Sequence, residues 1–344
     1  MRFAGKLKAY FLRFLTHKKT NVFDIKNTRN ILFLRYDRIG DMVITTPVFR
    51  ELKQKYPEIN ISVLASSINH NVLQNNPYVD KVYLNYKNNL FKDFPTLLKL
   101  RSNKYDVCVE FDHSVIPHLI VRLKIIKPKK IISVFKEGRY GVKGTELELY
   151  DYYTEKTEGS HFQEIWLNTL NPFGVKPKSS QYELFCSADQ KKKADDYLSL
   201  FEKKMLVGIN IEGAIQGKRI QSNKLEEICQ GIYHINNNVQ IILLSSPKKH
   251  KHILQFCKTL NLSYVIPSYK TESILDVAAL IEKLDLIISP DTSIVHLASA
   301  FNKPIISIHE NNKDSYQLFA PKSEINRTVF AKYQKGINGF SAAH

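Results

Sequence analysis

The chain has 344 residues, 43% of them hydrophobic, and it carries 50 Lys and Arg against 33 Asp and Glu, a formal charge of +17. That length is enough for two domains, each with its own core. The composition excludes an acidic disordered chain and, with 13 Gly and 13 Pro, a collagen-like fibre. The positive charge predicts an anionic partner.

The four cysteines are far apart in the sequence and form no Cys-x-x-Cys pair. This favours the reduced, packed thiols of a cytosolic protein over a disulfide framework or a zinc site. There is no run of about 18 apolar residues, so we expect no transmembrane helix. Lys6, Lys8 and Arg13 interrupt the apolar core that a signal peptide needs, and we expect a cytoplasmic protein.

Residues 1–29 form a basic amphipathic segment, and the first 30 residues hold eight Lys and Arg but one acid. On a helix, one face carries apolar side chains and another carries cations. This is typical of a helix on an anionic membrane surface, here through residues 1–24. The alternative is a helix docked on the protein itself with a solvated basic side. The apolar face would consist of Phe3, Leu7, Tyr10, Phe11 and Phe14.

From Asn30 onward, short apolar runs alternate with longer amphipathic ones, which predicts a doubly wound parallel sheet with flanking helices. Thr45–Tyr56 is predicted to be a helix that Pro57 stops. This first domain should cover residues 30–172. Its predicted strands are Ile31–Arg35, Ile59–Leu64, Lys81–Leu84, Asp106–Phe111 and Lys130–Val134.

Turn-forming residues predict a linker at 173–180, followed by a second α/β domain at 181–325 and a tail at 326–344. Two such domains would leave a cleft at the carboxyl ends of their strands, where ligands of these sheets bind. The strands predicted for the second domain are Leu206–Ile211, Gln240–Ser245, Tyr264–Ile266, Leu286–Ser289 and Pro304–His309.

The familiar nucleotide and metal motifs are absent from the sequence. The run from Gly213 to Lys218 is one residue short of a P-loop, and Arg219 stands where a Ser or Thr would bind magnesium. No His and Cys residues have the spacing of metal ligands. A dehydrogenase and a P-loop NTPase are therefore disfavoured.

A first candidate site follows the strand that ends at Arg35. A polar turn containing Gly40 leads into a helix that should begin between Asp41 and Thr46. Asp41 would then lie at the carboxyl edge of the sheet, where a carboxylate could act as a general base. The alternative is that Asp41 caps its helix.

A second candidate site follows the strand Leu286–Ser289. Thr292, Ser293 and the first N–H groups of a predicted helix, Ile294–Phe301, could cradle a phosphate. His296 could reach the same ligand, or it could pack beneath the sheet, and Asp291 could cap the helix instead.

A third candidate site follows the strand Leu206–Ile211, where Lys218 and Arg219 lie in a Gly-containing loop before a helix at Ser222–Gly231. Two cations at the carboxyl end of a strand suit a diphosphate. The alternative is a solvated surface pair.

These segments resemble glycosyltransferase family 9, the lipopolysaccharide heptosyltransferases. The family's first motif, R-x-D-R-I-G-D-x-V-x-T-T-P after a strand, is matched from Arg35 to Pro47. Its second, D-T-[GS]-x-x-H-x-A-x-A, is matched from Asp291 to Ala300. The two motifs bracket most of the chain.

The resemblance implies a GT-B fold, an α/β architecture of two Rossmann-like domains that face each other across a cleft, often with the C-terminal tail crossing back to the first. It implies an inverting transfer of a sugar from a nucleotide diphosphate, typically ADP-heptose, to a lipid-linked saccharide. No metal or other cofactor is implied. Such an enzyme would work as a peripheral protein on the inner face of the inner membrane.

The resemblance also implies roles for single residues. Asp41 matches the catalytic aspartate that deprotonates the acceptor hydroxyl, and Lys218 resembles the basic residue that offsets charge on the departing diphosphate. Arg38, Gly40 and Thr45 are expected to line the acceptor side of the cleft. The remaining donor-binding residues are expected to be Arg219, Asp291, Thr292, Ser293 and His296.

The chain departs from the family at several of these loops. Ile215 replaces a hydroxyl-bearing residue, and Ile220 and Gln221 replace the usual Trp-Pro. The loop at 245–250 lacks the acidic residue that holds the ribose in some relatives. These differences leave open a nucleotide sugar other than ADP-heptose. Two alternatives of another class are a non-catalytic membrane-bound scaffold and a nucleic-acid-binding module, although no nucleic-acid-binding motif is present.

Overall fold

The computed structural model describes residues 9–14, 27–85, 90–139, 142–155, 159–201, 203–213, 216–333, 336–337 and 340. The chain divides into two compact units. The first consists of Met1–Arg38, Thr45–Leu73 and Pro77–Ser180, and the second consists of Ile39–Ile44, Gln74–Asn76 and Gln181–His344.

The first unit is built on a six-stranded sheet of order β3-β2-β1-β4-β5-β6, with every neighbouring pair parallel. Its central strands are buried along their length, as expected for a parallel sheet covered on both faces. The strands are β1 (Asn30–Leu34), β2 (Asn60–Ser66), β3 (Lys81–Asn85), β4 (Val107–Glu110), β5 (Lys130–Ser133) and β6 (Tyr152–Tyr153).

The helices of this unit are α1 (residues 9–14), α2 (Ile39–Lys55), α3 (Leu90–Ser102), α4 (Pro117–Ile126) and α5 (Phe162–Leu167). One face of the sheet is covered by α1, α3 and α4. Leu12, Leu97 and Leu123 from these helices share a buried cluster with Leu32 and Cys108 from the strands.

The second unit repeats this topology in a sheet of order β12-β11-β10-β7-β8-β9, again fully parallel. Two sheets of Rossmann order confirm the predicted pair of doubly wound α/β domains. The strands are β7 (Met205–Asn210), β8 (Val239–Leu244), β9 (Val265–Pro267), β10 (Leu286–Pro290), β11 (Ile305–His309) and β12 (Asn326–Phe330). The helices are α6 (Ala188–Leu198), α7 (Ser222–Ile235), α8 (His250–Leu260), α9 (Ile274–Ile281), α10 (Ser293–Ala300) and α11 (Lys313–Phe319).

The start of α2 differs from the prediction. The helix begins at Ile39 rather than at Thr45, so Gly40 and Asp41 lie in its first turn and not in a loop. Pro47 lies inside the helix, where it lacks the N–H of one backbone hydrogen bond. The early start is supported by packing, because Gly40 contacts His296 within the second unit.

The predicted linker is anchored to the first unit. The backbone N–H groups of Lys178 and Ser179 donate to the carboxylate of Glu51, which is paired with Arg50. The chain passes to the second unit after Ser180.

The predicted tail is also placed differently. Its residues 326–330 form β12, and the buried Ala331, Ile337 and Phe340 join a core cluster of the second unit. The expectation that the tail returns to the first domain is corrected for these residues.

The N-terminal segment is described only at α1. Ala9 and Leu12 are buried, whereas Tyr10, Phe11 and Phe14 are exposed. The described turns of α1 are docked on the first unit through Leu12, as in the second alternative, and their outward side carries these aromatic side chains together with Arg13. Phe3, Leu7 and the first cations lie outside the described residues. Within the part of the chain that the structure describes, no helix is long and apolar enough to cross a membrane.

Candidate functional site

The second unit brings two of the sequence-predicted residues, Lys218 and Asp291, into one cluster of ion pairs. Lys218 follows β7, and its Nζ lies 3.2 Å from Asp291 Oδ2 and 3.1 Å from Glu310 Oε2. Burial opposes the charge of Lys218, but the two carboxylates raise its pKa above the ordinary value. Burial likewise favours the neutral form of Asp291, yet His309 and Lys218 lower its pKa. At pH 7 this cluster therefore holds a full ammonium between two carboxylates.

Glu310, the residue that directly follows β11, was missed by sequence reasoning. Its carboxylate also accepts a hydrogen bond of 2.5 Å from the backbone N–H of Gly336. Gly336 has a φ of +80°, a conformation that favours glycine. The glutamate is thus held on two sides, which fixes it beside Lys218.

Two buried histidines border this cluster. Burial lowers the pKa of His296 to about 4, although the charges of Asp291 and Asp41 raise it. Burial also lowers the pKa of His309. Among the described residues, His296 Nδ1 and His309 Nε2 have no hydrogen-bond partner. Both imidazoles are neutral at pH 7, and His296 is packed, as the structural alternative predicted.

The first turns of α2 and α10 meet at Gly40. A Cβ added to Gly40 would lie 2.7 Å from His296 Cδ2 and 3.6 Å from Ser293 Cα. A side chain larger than hydrogen would therefore displace the His296 imidazole or one of the two helices. The close contact places Asp41, the next residue, near the helix that carries His296.

Thr292, and not Asp291, caps α10. Its Oγ1 accepts from the backbone N–H of Ile294 at 3.3 Å and from Asn210 Nδ2 at 3.0 Å. It also lies 3.1 Å from Ser289 Oγ. The hydroxyl of Thr292 is therefore occupied within the protein, where it orients the start of α10. Asn210, the last residue of β7, carries no motif signal and was missed.

A further carboxylate lies beside the loop at 245–250. Glu212 follows β7, and its Oε2 accepts a hydrogen bond of 3.1 Å from Ser246 Oγ. In this loop Ser245 is buried and contacts His250 Nδ1 at 3.3 Å and Ser268 Oγ at 3.2 Å. The loop has no acidic residue of its own, but Glu212, which follows β7, places a carboxylate beside it.

The other sequence-predicted residues are not brought to the cluster. Arg219 is exposed, and no described residue forms an ion pair with it. Ile220 is buried in the core of the second unit, and Ile215 lies outside the described residues. Thr45 is fully buried in the first unit. Arg38 is exposed in the first unit.

The first unit has its own charged group at the carboxyl ends of β1 and β4. The Arg35 guanidinium lies 3.7 Å from the centre of the Trp166 ring and 3.3 Å from Asp37 Oδ2. Burial, with the charges of Glu110 and Asp37, raises the pKa of Asp112 to about 7. Glu110 is paired with Lys136 inside the core. Sequence reasoning missed Asp112, because its raised pKa depends on burial and on the charges around it in the folded protein.

Similar proteins bear on the function of these groups. A profile of glycosyltransferase family 9 (heptosyltransferase) matches residues 97–337. Lipopolysaccharide heptosyltransferase 3 of Escherichia coli is 24% identical over 284 residues, which cover 78% of this chain and 80% of that protein. Lipopolysaccharide core heptosyltransferase OpsX of Haemophilus influenzae is 23% identical over 288 residues, with coverages of 82% and 79%.

Solved structures agree on the fold. A family 9 glycosyltransferase from Veillonella parvula has a TM-score of 0.75 at 15% identity, over 92% of this chain and 94% of that chain. E. coli heptosyltransferase WaaC with ADP has a TM-score of 0.70 at 13% identity, over 91% and 97%. The same enzyme with ADP-2-deoxy-2-fluoro heptose has 0.67 at 14% identity, over 91% and 96%.

These likenesses confirm the predicted α/β fold of GT-B type. The family profile covers well over half of the chain and includes the cluster around Lys218. The chain therefore belongs to glycosyltransferase family 9, and it is a glycosyltransferase.

Proposed function

We propose that the protein transfers a heptose from ADP-heptose to the lipopolysaccharide core or a related lipid-linked saccharide, with inversion and without a metal ion. Relatives named as lipopolysaccharide heptosyltransferases support the acceptor, and the WaaC structures with ADP and with a fluorinated ADP-heptose support the donor. The observation that carries the proposal is the half-buried Lys218 cluster beside the start of α10.

In the proposed reaction, Asp41 accepts the proton of the acceptor hydroxyl while its oxygen attacks the anomeric carbon of the donor. The bond from that carbon to the diphosphate oxygen breaks, and ADP leaves with the electron pair. One displacement of this kind inverts the anomeric centre. The contact of Gly40 with His296 and Ser293 supports this role, since it brings Asp41 to the start of α10.

The leaving diphosphate requires positive charge at the moment the bond breaks. Lys218 supplies an ammonium whose pKa is raised by Asp291 and Glu310 against the effect of burial, so it is charged at neutral pH. The N-terminus of α10 adds a partial positive charge, and Thr292 caps that helix. Preorganised donors of this kind are a large term in catalysis.

Glu212 supports a proposal about the nucleotide. The loop at 245–250 has no acidic residue, yet Ser246 holds the Glu212 carboxylate there. We propose that Glu212 accepts a hydrogen bond from the ribose of the donor.

The acceptor in this proposal is attached to lipid, so the enzyme would work at the inner face of the inner membrane. The charge of residues 1–24 and the exposed aromatic side chains of α1 support that location.

The proposal is tested by measuring transfer from ADP-heptose and from other nucleotide sugars to truncated core saccharides. Asp41→Asn should lower turnover by at least ~100-fold while ADP still binds with unchanged affinity. The matched control is Asp189→Asn, which removes a carboxylate from the first turn of α6 and should leave turnover unchanged.

Turnover with another nucleotide sugar alone would reassign the donor. No turnover with any donor, together with intact ADP binding, would favour a non-catalytic scaffold. Normal turnover in Asp41→Asn would remove Asp41 from the role of general base.

A further inference from the structure

The outer side of α3 carries apolar side chains that the described residues of the first unit leave exposed. Phe91, Phe94 and Leu98 are 94%, 49% and 46% exposed. Their spacing of three and four residues puts them on one side of the helix. The opposite side is buried through Leu97 and Leu100, so the helix has apolar side chains on both its inner and its outer side. Exposed apolar groups of this size mark interaction surfaces.

Helix α1 also exposes aromatic side chains. Leu12 is buried in the cluster that also holds Leu97 and Leu100 of α3, whereas Tyr10, Phe11 and Phe14 face outward. The two helices therefore cover the same face of the first sheet with their aromatic side chains exposed.

The charges on the outside of these helices have one sign. The exposed charged residues of α3 are Lys92, Lys99 and Arg101, and the acid of that helix, Asp93, is buried against Arg122. The helix α4 contains no acid, and it adds Lys124. Such a cationic surface attracts anions.

A cavity of about 340 Å³ opens where α3 and α4 end. Its charged lining is cationic, formed by Arg101, Lys124 and Lys127. The rest of its lining is apolar, formed by Leu123, Pro128, Ile131 and Leu149. A cavity with three cations and an apolar wall fits part of a phospholipid, because such a molecule has an anionic phosphate at one end and apolar acyl chains at the other.

We propose that the docking surface, defined as the outer sides of α1 and α3 with this cavity, binds an anionic phospholipid bilayer. The aromatic side chains of α1 and α3 enter the headgroup region, and the cavity holds a lipid phosphate. Apolar insertion and attraction between cations and anionic lipid reinforce each other in such binding. This inference rests on the proposed function only for the reason why the protein would bind a membrane. Bilayer binding itself is measured without any sugar transfer.

The cations are tested by flotation of the full chain with phosphatidylcholine vesicles that contain or lack phosphatidylglycerol. Arg101→Gln, Lys124→Gln and Lys127→Gln together should lower binding to the anionic vesicles by about 10- to 100-fold. The matched control removes three exposed cations from the second unit, Lys251, Lys258 and Lys270, and should change binding by less than about threefold.

The apolar contact is tested in the same way. Phe91→Ser with Phe94→Ser should lower binding by about tenfold or more. Its control is Leu200→Ser with Ile235→Ser, which removes exposed apolar groups from the second unit, 72% and 86% exposed. Circular dichroism and transfer to a water-soluble saccharide should be unchanged in all four variants, which separates failure of docking from failure of the proposed function.

Three results would overturn the proposal. Unchanged vesicle binding in both test variants would move membrane contact elsewhere in the chain. Displacement from vesicles by inorganic phosphate at matched ionic strength would assign the cavity to free phosphate. A dimer that Phe91→Ser with Phe94→Ser abolishes would assign the apolar side to a second copy of the chain.

Discussion

Two aspartates occupy comparable places in the two sheets, and their pKa values are shifted in opposite directions. Asp112 follows β4 and Asp291 follows β10, and each of these strands is the neighbour of the first strand of its own sheet. Burial favours the protonated form of both. Carboxylates around Asp112 raise its pKa further, to about 7, whereas His309 and Lys218 lower the pKa of Asp291.

The same backbone topology therefore holds two different kinds of electrostatic environment. The edge of the second sheet holds a charged ammonium and a helix N-terminus, which favour a diphosphate. The edge of the first sheet holds an excess of carboxyl groups around Arg35, which suits hydroxyl groups better than phosphates. In a duplicated fold, the side chains that follow each strand decide which ligand the edge can bind.

The largest expected effect comes from Lys218→Gln, which would make the second edge acidic like the first. We expect kcat for transfer from ADP-heptose to fall by about 100- to 1,000-fold, because the leaving diphosphate loses its ammonium. Asp291 and Glu310 would also repel each other without the cation between them. Lys224→Gln, which removes a surface cation from α7, is the matched control. A loss of less than about threefold in Lys218→Gln would mean that the charge of this edge does not serve transfer.

Gly40→Ala tests whether the second edge depends on the close contact of α2 with α10. The added Cβ would lie 2.7 Å from His296 Cδ2, so the buried imidazole or one helix must shift. We expect a 10- to 100-fold loss of kcat, since a displacement of about 1 Å is costly for catalysis, and a loss of about 1–3 kcal/mol in the free energy of unfolding. Gly231→Ala in α7 meets no neighbour within 4 Å and should be neutral or slightly stabilising. Equal behaviour of the two variants would contradict the contact.

Glu212→Gln examines a carboxylate at the second edge that forms no ion pair with a described residue. We expect the KM for the donor to rise about tenfold with kcat changed by less than about twofold, as for a hydrogen bond to the ribose made equally in the ground and transition states. Glu226→Gln, on the exposed side of α7, should change neither constant. A loss of kcat without a change of KM would exclude a role in ground-state binding.

The smallest effect is on stability, and it concerns the first edge. The pKa of Asp112 is raised to about 7 in the folded protein, so between pH 4 and 7 the unfolded chain loses this proton while the folded one keeps it. Stability from this group is therefore lost as pH rises through that window. Asp112→Asn should raise the free energy of unfolding by on the order of 2 kcal/mol at pH 7.5 and by much less at pH 4.5, measured by urea denaturation.

The control for this measurement is Asp196→Asn, an exposed carboxylate in a surface pair with Lys192. It should change stability by less than about 0.5 kcal/mol at either pH. A gain in Asp112→Asn that does not depend on pH would show that the charge of Asp112 is not the cause.

Much of the fold was predictable because its signals are local. Runs of apolar residues bounded by turn formers identified ten of the strands, and the alternation with amphipathic stretches identified the parallel sheets. The exceptions have physical causes. The strand β6 has two residues and no periodicity to detect, and the first turn of α2 depends on packing against His296.

The sequence by itself determined the α/β class and the two-domain order, and it marked Asp41, Lys218, Asp291 and His296 as candidates, because motif spacing and hydrophobic period are properties of consecutive residues. Tertiary structure alone decided that Glu310 shares Lys218 with Asp291, that Thr292 rather than Asp291 caps α10, and that Asp112 holds its proton near neutrality. Hydrogen-bond partners and pKa values arise from burial and from charges that are distant in the chain, so no local pattern encodes them.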